Sequence, residues 1–202
     1  MPIFFICFIV FLIWFRVKMK QSDSISTEAS ESFWEREEKA NYARRQDISN
    51  LDYITVAKSD LPFVSDMDER ETELVKEIRD RMQRKMLNLS GLTNTDLKER
   101  YGFANLETLS GCDQNFMYFI RSLSRWGEYL FTQGDLTRSK QVMEYSRQLG
   151  SDISTVYVTL GKIYASEGNI SGLEELISFV ENSDFALKDS IAKKLKLCRL
   201  EY

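Results

Sequence analysis

The sequence predicts an all-α protein: a single transmembrane helix at the N-terminus, then a domain of stacked helix pairs of the α-solenoid kind. Three observations carry that expectation. Only two prolines, Pro2 and Pro62, occur in 202 residues, and long charged stretches with apolar residues at helical spacing favour helix over strand. Residues 2–15 (PIFFICFIVFLIWF) contain no charge. Between Ile120 and Asn182 the chain repeats itself every 34 residues, a period expected of stacked two-helix units. Charged residues make up 29% and hydrophobic ones 43%, enough apolar material for one packed domain plus an appendage.

Residues 1–20 are expected to be a membrane anchor with a basic flank. The charge-free run is short of the roughly 20 residues that usually cross a bilayer, and snorkelling of Arg16 and Lys18 would have to close the gap. A cleaved signal peptide fits less well, because the charges follow the apolar run and Trp14-Phe15-Arg16 is no cleavage site. Arg16, Lys18 and Lys20 on the C-terminal side point to a single-pass cell-membrane protein with its C-terminal domain in the cytoplasm. Three basic residues are too few for firm recognition of anionic lipid.

Residues 21–30 (QSDSISTEAS) read as a polar tether. Residues 31–112 read as the helical N-terminal part of the soluble domain. In it, Ser32 to Glu35 matches a capping box, S-x-x-E, and predicts a helix over 31–45. Glu35, Glu38, Asn41 and Arg45 share a flank of that helix, but two carboxylates at ExxE spacing complete no cation shell. Asp47 to Phe63 has extended character and no partner strand, so it reads as a connector laid on helices. A helix follows from Asp66 to about Leu89, with Leu74, Ile78, Met82 and Met86 recurring every four residues as a core-facing stripe. Glu77–Arg81 and Asp80–Arg84 are i,i+4 pairs on its wet side. Thr95 to Tyr101 predicts a short helix that Gly102 stops.

Residues 113–183 hold the repeat. Leu123, Trp126, Gly127, Leu130, Gly134, Asp135 and Leu136 are matched by Tyr157, Leu160, Gly161, Tyr164, Gly168, Asn169 and Ile170. The period and the order of aromatic or Leu, then Gly, then Leu or Tyr resemble the tetratricopeptide family of helix-turn-helix repeats. The resemblance implies that Gly127 and Gly161 admit a neighbouring helix and that Gly134 and Gly168 allow the reversal. Its second helix prefers a small residue, then an aromatic, then a small one, where this chain has Ser139, Met143 and Ser146, then Leu173, Ile177 and Val180. The second copy is bulky there, and Ser151 and Phe185 stand where the family has proline. Two repeats are too few to stand alone. A C-terminal helix within 184–202, with Ile191, Leu195 and Cys198 on one face, is expected to cap them.

The same residues bound the function. Net charge is −4, and taking away the three positive charges of Arg16, Lys18 and Lys20 leaves −7. No nucleic acid is expected as a partner, since that needs a clustered positive footprint. The chain has no histidine, and its three cysteines, Cys7, Cys112 and Cys198, have no CxxC spacing. No catalytic, cofactor-binding or metal site emerges, no small-molecule substrate is expected, and Cys112 stands beside Asp113, which opposes a thiolate. What the resemblance implies is recognition of a protein or peptide on the face formed by the first helix of each pair. On it Asn115, Tyr118, Arg121, Arg125 and Glu128 are candidates from copy one, and Thr155, Thr159, Lys162 and Ser166 from copy two. Arg121 and Arg125, one turn apart, suit a carboxylate. The alternative is a structural subunit of a larger membrane complex that buries an obligate interface.

Overall fold

The computed structural model describes residues 2–201; the side-chain surroundings of residues 2–6, 10, 13, 17, 20–29, 200 and 201 lie outside that description. It is all-helical among the described residues, with no strand. The helices are α1 (Pro2–Asn41), α2 (Glu69–Met82), α3 (Asn94–Tyr101), α4 (Leu106–Thr132), α5 (Leu136–Gln148), α6 (Ser154–Ser166), α7 (Ile170–Glu181) and α8 (Lys188–Glu201). The chain divides into two compact units, Met1–Asn50 with Gly91–Leu109, and Leu51–Ser90 with Ser110–Tyr202.

In the first unit, α1 and α3 meet through charge. Lys98, 8% exposed, is held by Glu37 and by Asn41 Oδ1 at 2.8 Å. The Thr95 hydroxyl donates to Glu37 at 2.6 Å, and Arg36 spans Asp96 and Glu99 at 2.7 and 2.5 Å. Ala40 is the buried apolar residue of α1 at this contact. Buried Asn105 closes the far end, donating to the carbonyls of Gln46 and Tyr101 at 2.7 Å each.

α1 corrects the expected N-terminal architecture. Among the described residues no helix is long and apolar enough to cross a membrane. That overturns the transmembrane segment at 2–15, the single-pass cell-membrane topology and the cytoplasmic placement that followed from it. The physical reason is length: the charge-free run spans about 21 Å as a helix, against a hydrocarbon core of about 30 Å. The helix then continues through Arg16, Lys18 and the polar residues 21–30. Those ten residues are helical rather than a loose tether, and Ser32 lies inside α1 instead of capping a new helix.

In the second unit, α4/α5 and α6/α7 are the two helix pairs that the 34-residue period marks, and α8 closes the series. Each pair reverses through a glycine at positive φ, Gly134 at +84° and Gly168 at +68°. The next N–H reaches back five residues in both turns, Asp135 to Leu130 at 3.0 Å and Asn169 to Tyr164 at 2.8 Å. The Asp135 and Asn169 side chains then cap the second helix, accepting from Arg138 N and Gly172 N. Glycine takes that conformation without the Cβ clash that any other L-residue meets.

Packing inside the pairs differs between the copies. In the first, buried Ser139 donates to the Gly127 carbonyl at 2.7 Å, drawing α5 against α4. In the second, Leu173 holds the matching position and the hydroxyl clasp is absent. A Cβ on Gly161 would lie 2.3 Å from Leu195 Cδ2 of α8 and 3.5 Å from Leu173 Cδ1. The notch at Gly161 thus receives the capping helix, and the bulk of copy two packs into the core that α8 shares. Where the family has proline, buried Ser151 accepts the Tyr157 hydroxyl at 2.6 Å through its carbonyl, and Phe185 packs at 5.3 Å from the Tyr157 ring.

α2 lies on α4 through Leu74, Val75 and Ile78 against Phe116, Phe119, Leu123 and Trp126. It stops at Met82, short of the expected Leu89, and Met86 joins the connector in one antiparallel bridge, Ile54 N–H to Met86 O at 2.9 Å. That connector carries Val56 and Leu61 into the core and stacks Phe63 on Trp126 at 5.4 Å.

Two predictions follow from these contacts. Gly161→Ala lowers stability by about 1–3 kcal/mol through overpacking. Combined with Leu195→Ala it costs less than the two single changes added, as chemical denaturation of all four proteins will report. In the first unit, Asp96 is held well below the usual carboxylate range by the Thr93 hydroxyl and N–H and by Arg36, Glu99 by Arg36, and Glu37 by Lys98 and Thr95. Groups lowered in this way stabilise fully above their ordinary values and lose that contribution as pH falls through the folded ones. Acidification therefore strips hydrogen-exchange protection from α3 before it strips that of α6; simultaneous loss would contradict the ionic account of this contact.

Candidate functional site

A groove of 470 Å³ opens in the second unit between α2, α4 and the start of α6. Its walls are built by helical spacing. Tyr118, Arg121, Arg125 and Glu128 follow at intervals of three, four and three residues along α4, so they share one face. Glu77 and Arg81 stand one turn apart on α2, and Ile153 and Thr155 mark the start of α6. The opposite face of α4 is buried in the core through Phe116, Phe119, Leu123 and Trp126.

The charges are unequally employed. Arg125 Nη2 lies 2.6 and 2.7 Å from the two Glu77 oxygens, and the Ser122 hydroxyl lies 2.9 Å from Glu77 Oε1. Arg81 sits over the Tyr118 ring at 4.7 Å. Arg121 makes no ion pair, hydrogen bond or ring contact among the described residues, and Glu128 is likewise unpaired. The i,i+4 partnership of Glu77 with Arg81 expected from the sequence gives way to these cross-helix contacts. A guanidinium gains more from a carboxylate's fork or an aromatic face than from a flexible neighbour on its own helix.

α2 is fixed beneath this groove by a buried charge. Glu71 is 4% exposed. It accepts from Arg138 Nη1 at 2.6 Å, from Arg138 Nη2 at 3.3 Å and from Trp126 Nε1 at 3.1 Å. Arg138 Nε also reaches Asp135 Oδ2 at 2.6 Å. A buried carboxylate needs this many donors to offset its lost hydration. The result ties α2, α4 and α5 at one point.

The six candidate residues fall into three groups. Tyr118, Arg121, Arg125 and Glu128 line the groove together. Lys162 is exposed on α6 with its amine 5.9 Å from the Phe131 ring, outside the groove lining. Thr159 is 5% exposed and belongs to the core side of α6, which corrects its expected exposure. Thr155, not Thr159, carries α6 into the groove. Glu77, Arg81, Ser124 and Ile153 are the lining residues that sequence reasoning did not assign to the site. Glu77 and Arg81 stand outside the repeat, and no periodicity within it signals which neighbouring helix will complete a wall.

Other chemistry is thin. Cys112 lies inside α4 and is 5% exposed, and burial pushes its thiol up, away from the reactive thiolate. Among the described residues no group of three or more Cys, Asp or Glu is placed to hold a metal ion. No protein-family model, no curated protein and no solved structure matches the chain. The tetratricopeptide resemblance is therefore not confirmed by comparison with known families; what stands is the pair of glycine-turned helix hairpins.

The site makes one prediction about cause and effect. Glu71→Ala costs about 3 kcal/mol, because it leaves the partly buried Arg138 and the Trp126 N–H short of their partner. Arg125→Ala costs only about 0.5 kcal/mol, since its pair with Glu77 is half exposed. Arg121→Glu changes stability by less than about 0.5 kcal/mol. Urea denaturation monitored by circular dichroism ranks the three; a large loss from Arg121→Glu would mean that this residue has a structural partner.

Proposed function

We propose that this chain is a non-catalytic helical-hairpin scaffold that binds an acidic segment of another protein in the groove between α2, α4 and α6. The observation that carries the reading is Arg121. It lines the groove unpaired and exposed, while the groove's other arginines are already engaged. Beside it Tyr118, 39% exposed, offers an amphipathic ring, and Ile153 adds an apolar lining residue. A carboxylate arriving next to a side chain that can cover Tyr118 would satisfy both features. The groove volume falls within the range of pockets that hold a few side chains rather than a whole domain. Arg125, which the sequence pairs with Arg121 as a clamp, serves instead to hold α2 and shape the wall.

The test uses a defined probe. A synthetic peptide combining two glutamates with one tryptophan is titrated by fluorescence anisotropy against the full-length protein. A second peptide has both glutamates replaced by glutamine. The expected result is binding of the acidic peptide only, weakening with added salt and falling about tenfold or more with Arg121→Glu. Equal binding of the two peptides, or an unchanged affinity in Arg121→Glu, removes the acidic-segment reading.

A further inference from the structure

α1 carries an exposed face with the chemistry that the groove lacks. Glu31, Trp34, Glu38 and Tyr42 follow at intervals of three, four and four residues, which places them along one side of the helix and the turn that ends it. The other side is committed: Ala40 is buried, Glu37 and Asn41 hold Lys98, and Arg36 holds Asp96 and Glu99. On the free side Trp34 is 64% exposed and Tyr42 83% exposed. Glu31 and Glu38 make no ion pair or hydrogen bond among the described residues. Trp34 therefore stands in water between two unneutralised carboxylates that are about 10 Å apart along the helix.

We infer that this acidic, aromatic stripe of one copy docks into the α2–α4–α6 groove of a second copy, joining molecules head to tail. The inference rests on the groove being an acceptor of acidic segments. Charge complementarity selects the occupant: Arg121 is unpaired beside half-exposed Tyr118 at one end of the groove, about 10 Å along α4 from the unpaired Glu128, and the stripe offers unpaired carboxylates beside an exposed tryptophan. Tryptophan and tyrosine are the side chains that most often anchor an interface, and flanking charges set its orientation and its rate of formation. Because stripe and groove are different surfaces, each contact leaves one groove and one stripe free, and association continues beyond the dimer.

The experiment is sedimentation velocity on the full chain in a nonionic detergent, which covers the exposed apolar residues between Phe8 and Met19. Wild-type protein is expected to form dimers and larger species as concentration rises, and to revert as salt is added. Arg121→Glu breaks the groove and Glu31→Gln/Glu38→Gln breaks the stripe, and each weakens self-association by about tenfold or more with an unchanged circular dichroism spectrum. The decisive step is to mix the two variants. The first keeps an intact stripe and the second an intact groove, so one contact forms and growth stops at a heterodimer. Variants that associate like the wild type, or a mixture that yields no heterodimer, overturn the proposal. If the full chain stays monomeric while the acidic peptide binds in an Arg121-dependent way, head-to-tail docking fails and the groove reading stands. If neither occurs, both fall.

Discussion

The buried Glu71 carboxylate is the constraint on which the second unit depends. It draws donors from α4 through Trp126 and from α5 through Arg138, and so fixes α2 against the first hairpin. A charge at this depth tolerates little displacement, because every ångström of lost hydrogen bonding leaves a poorly hydrated anion. The position of α2 then decides where Glu77 and Arg81 stand, and those two residues form one wall of the groove. Removing the carboxylate would disturb the site without touching any residue in it.

The hairpins themselves rest on a different economy, the absence of side chains. Gly134 and Gly168 let the chain reverse within a few residues, and Gly127 and Gly161 leave notches for Met143 and Leu195. The same device serves unequal neighbours. In the first copy the notch is filled from the pair's own second helix, with Ser139 tying the two backbones. In the second the capping helix enters, so α8 completes the packing of the last pair instead of merely covering it. That division explains how two hairpins suffice: the apolar face a third would bury is met by Ile191, Leu195 and Cys198 of α8.

Within the groove, the arginines illustrate how similar side chains take different tasks. Arg125 is neutralised by Glu77, Arg81 lies on Tyr118, and Arg121 is left over. From sequence these three are alike, a charge at helical spacing on a wet face. The difference comes from which acid or ring a neighbouring helix presents, and that is a fact of tertiary geometry. The N-terminal region shows the reverse case. There the sequence has a strong local signal, an uninterrupted apolar run, and the expectation of a membrane span overreaches because run length and not hydrophobicity alone sets what a helix can cross.

By itself the sequence determined the elements whose causes are local. The helical character, the 34-residue period, the glycine turns, their Asp135 and Asn169 caps and the face shared by Tyr118, Arg121, Arg125 and Glu128 all follow from spacing and backbone preference along a few turns of chain. Tertiary structure decided everything that needs a partner distant in sequence. It turned Thr159 inward, gave Glu77 to Arg125 in place of Arg81, and set α8 in the notch of Gly161. The physical reason is the same in each instance: a side chain's role is settled by the neighbour that desolvates or neutralises it, and periodicity names the face a residue occupies but not what will stand opposite.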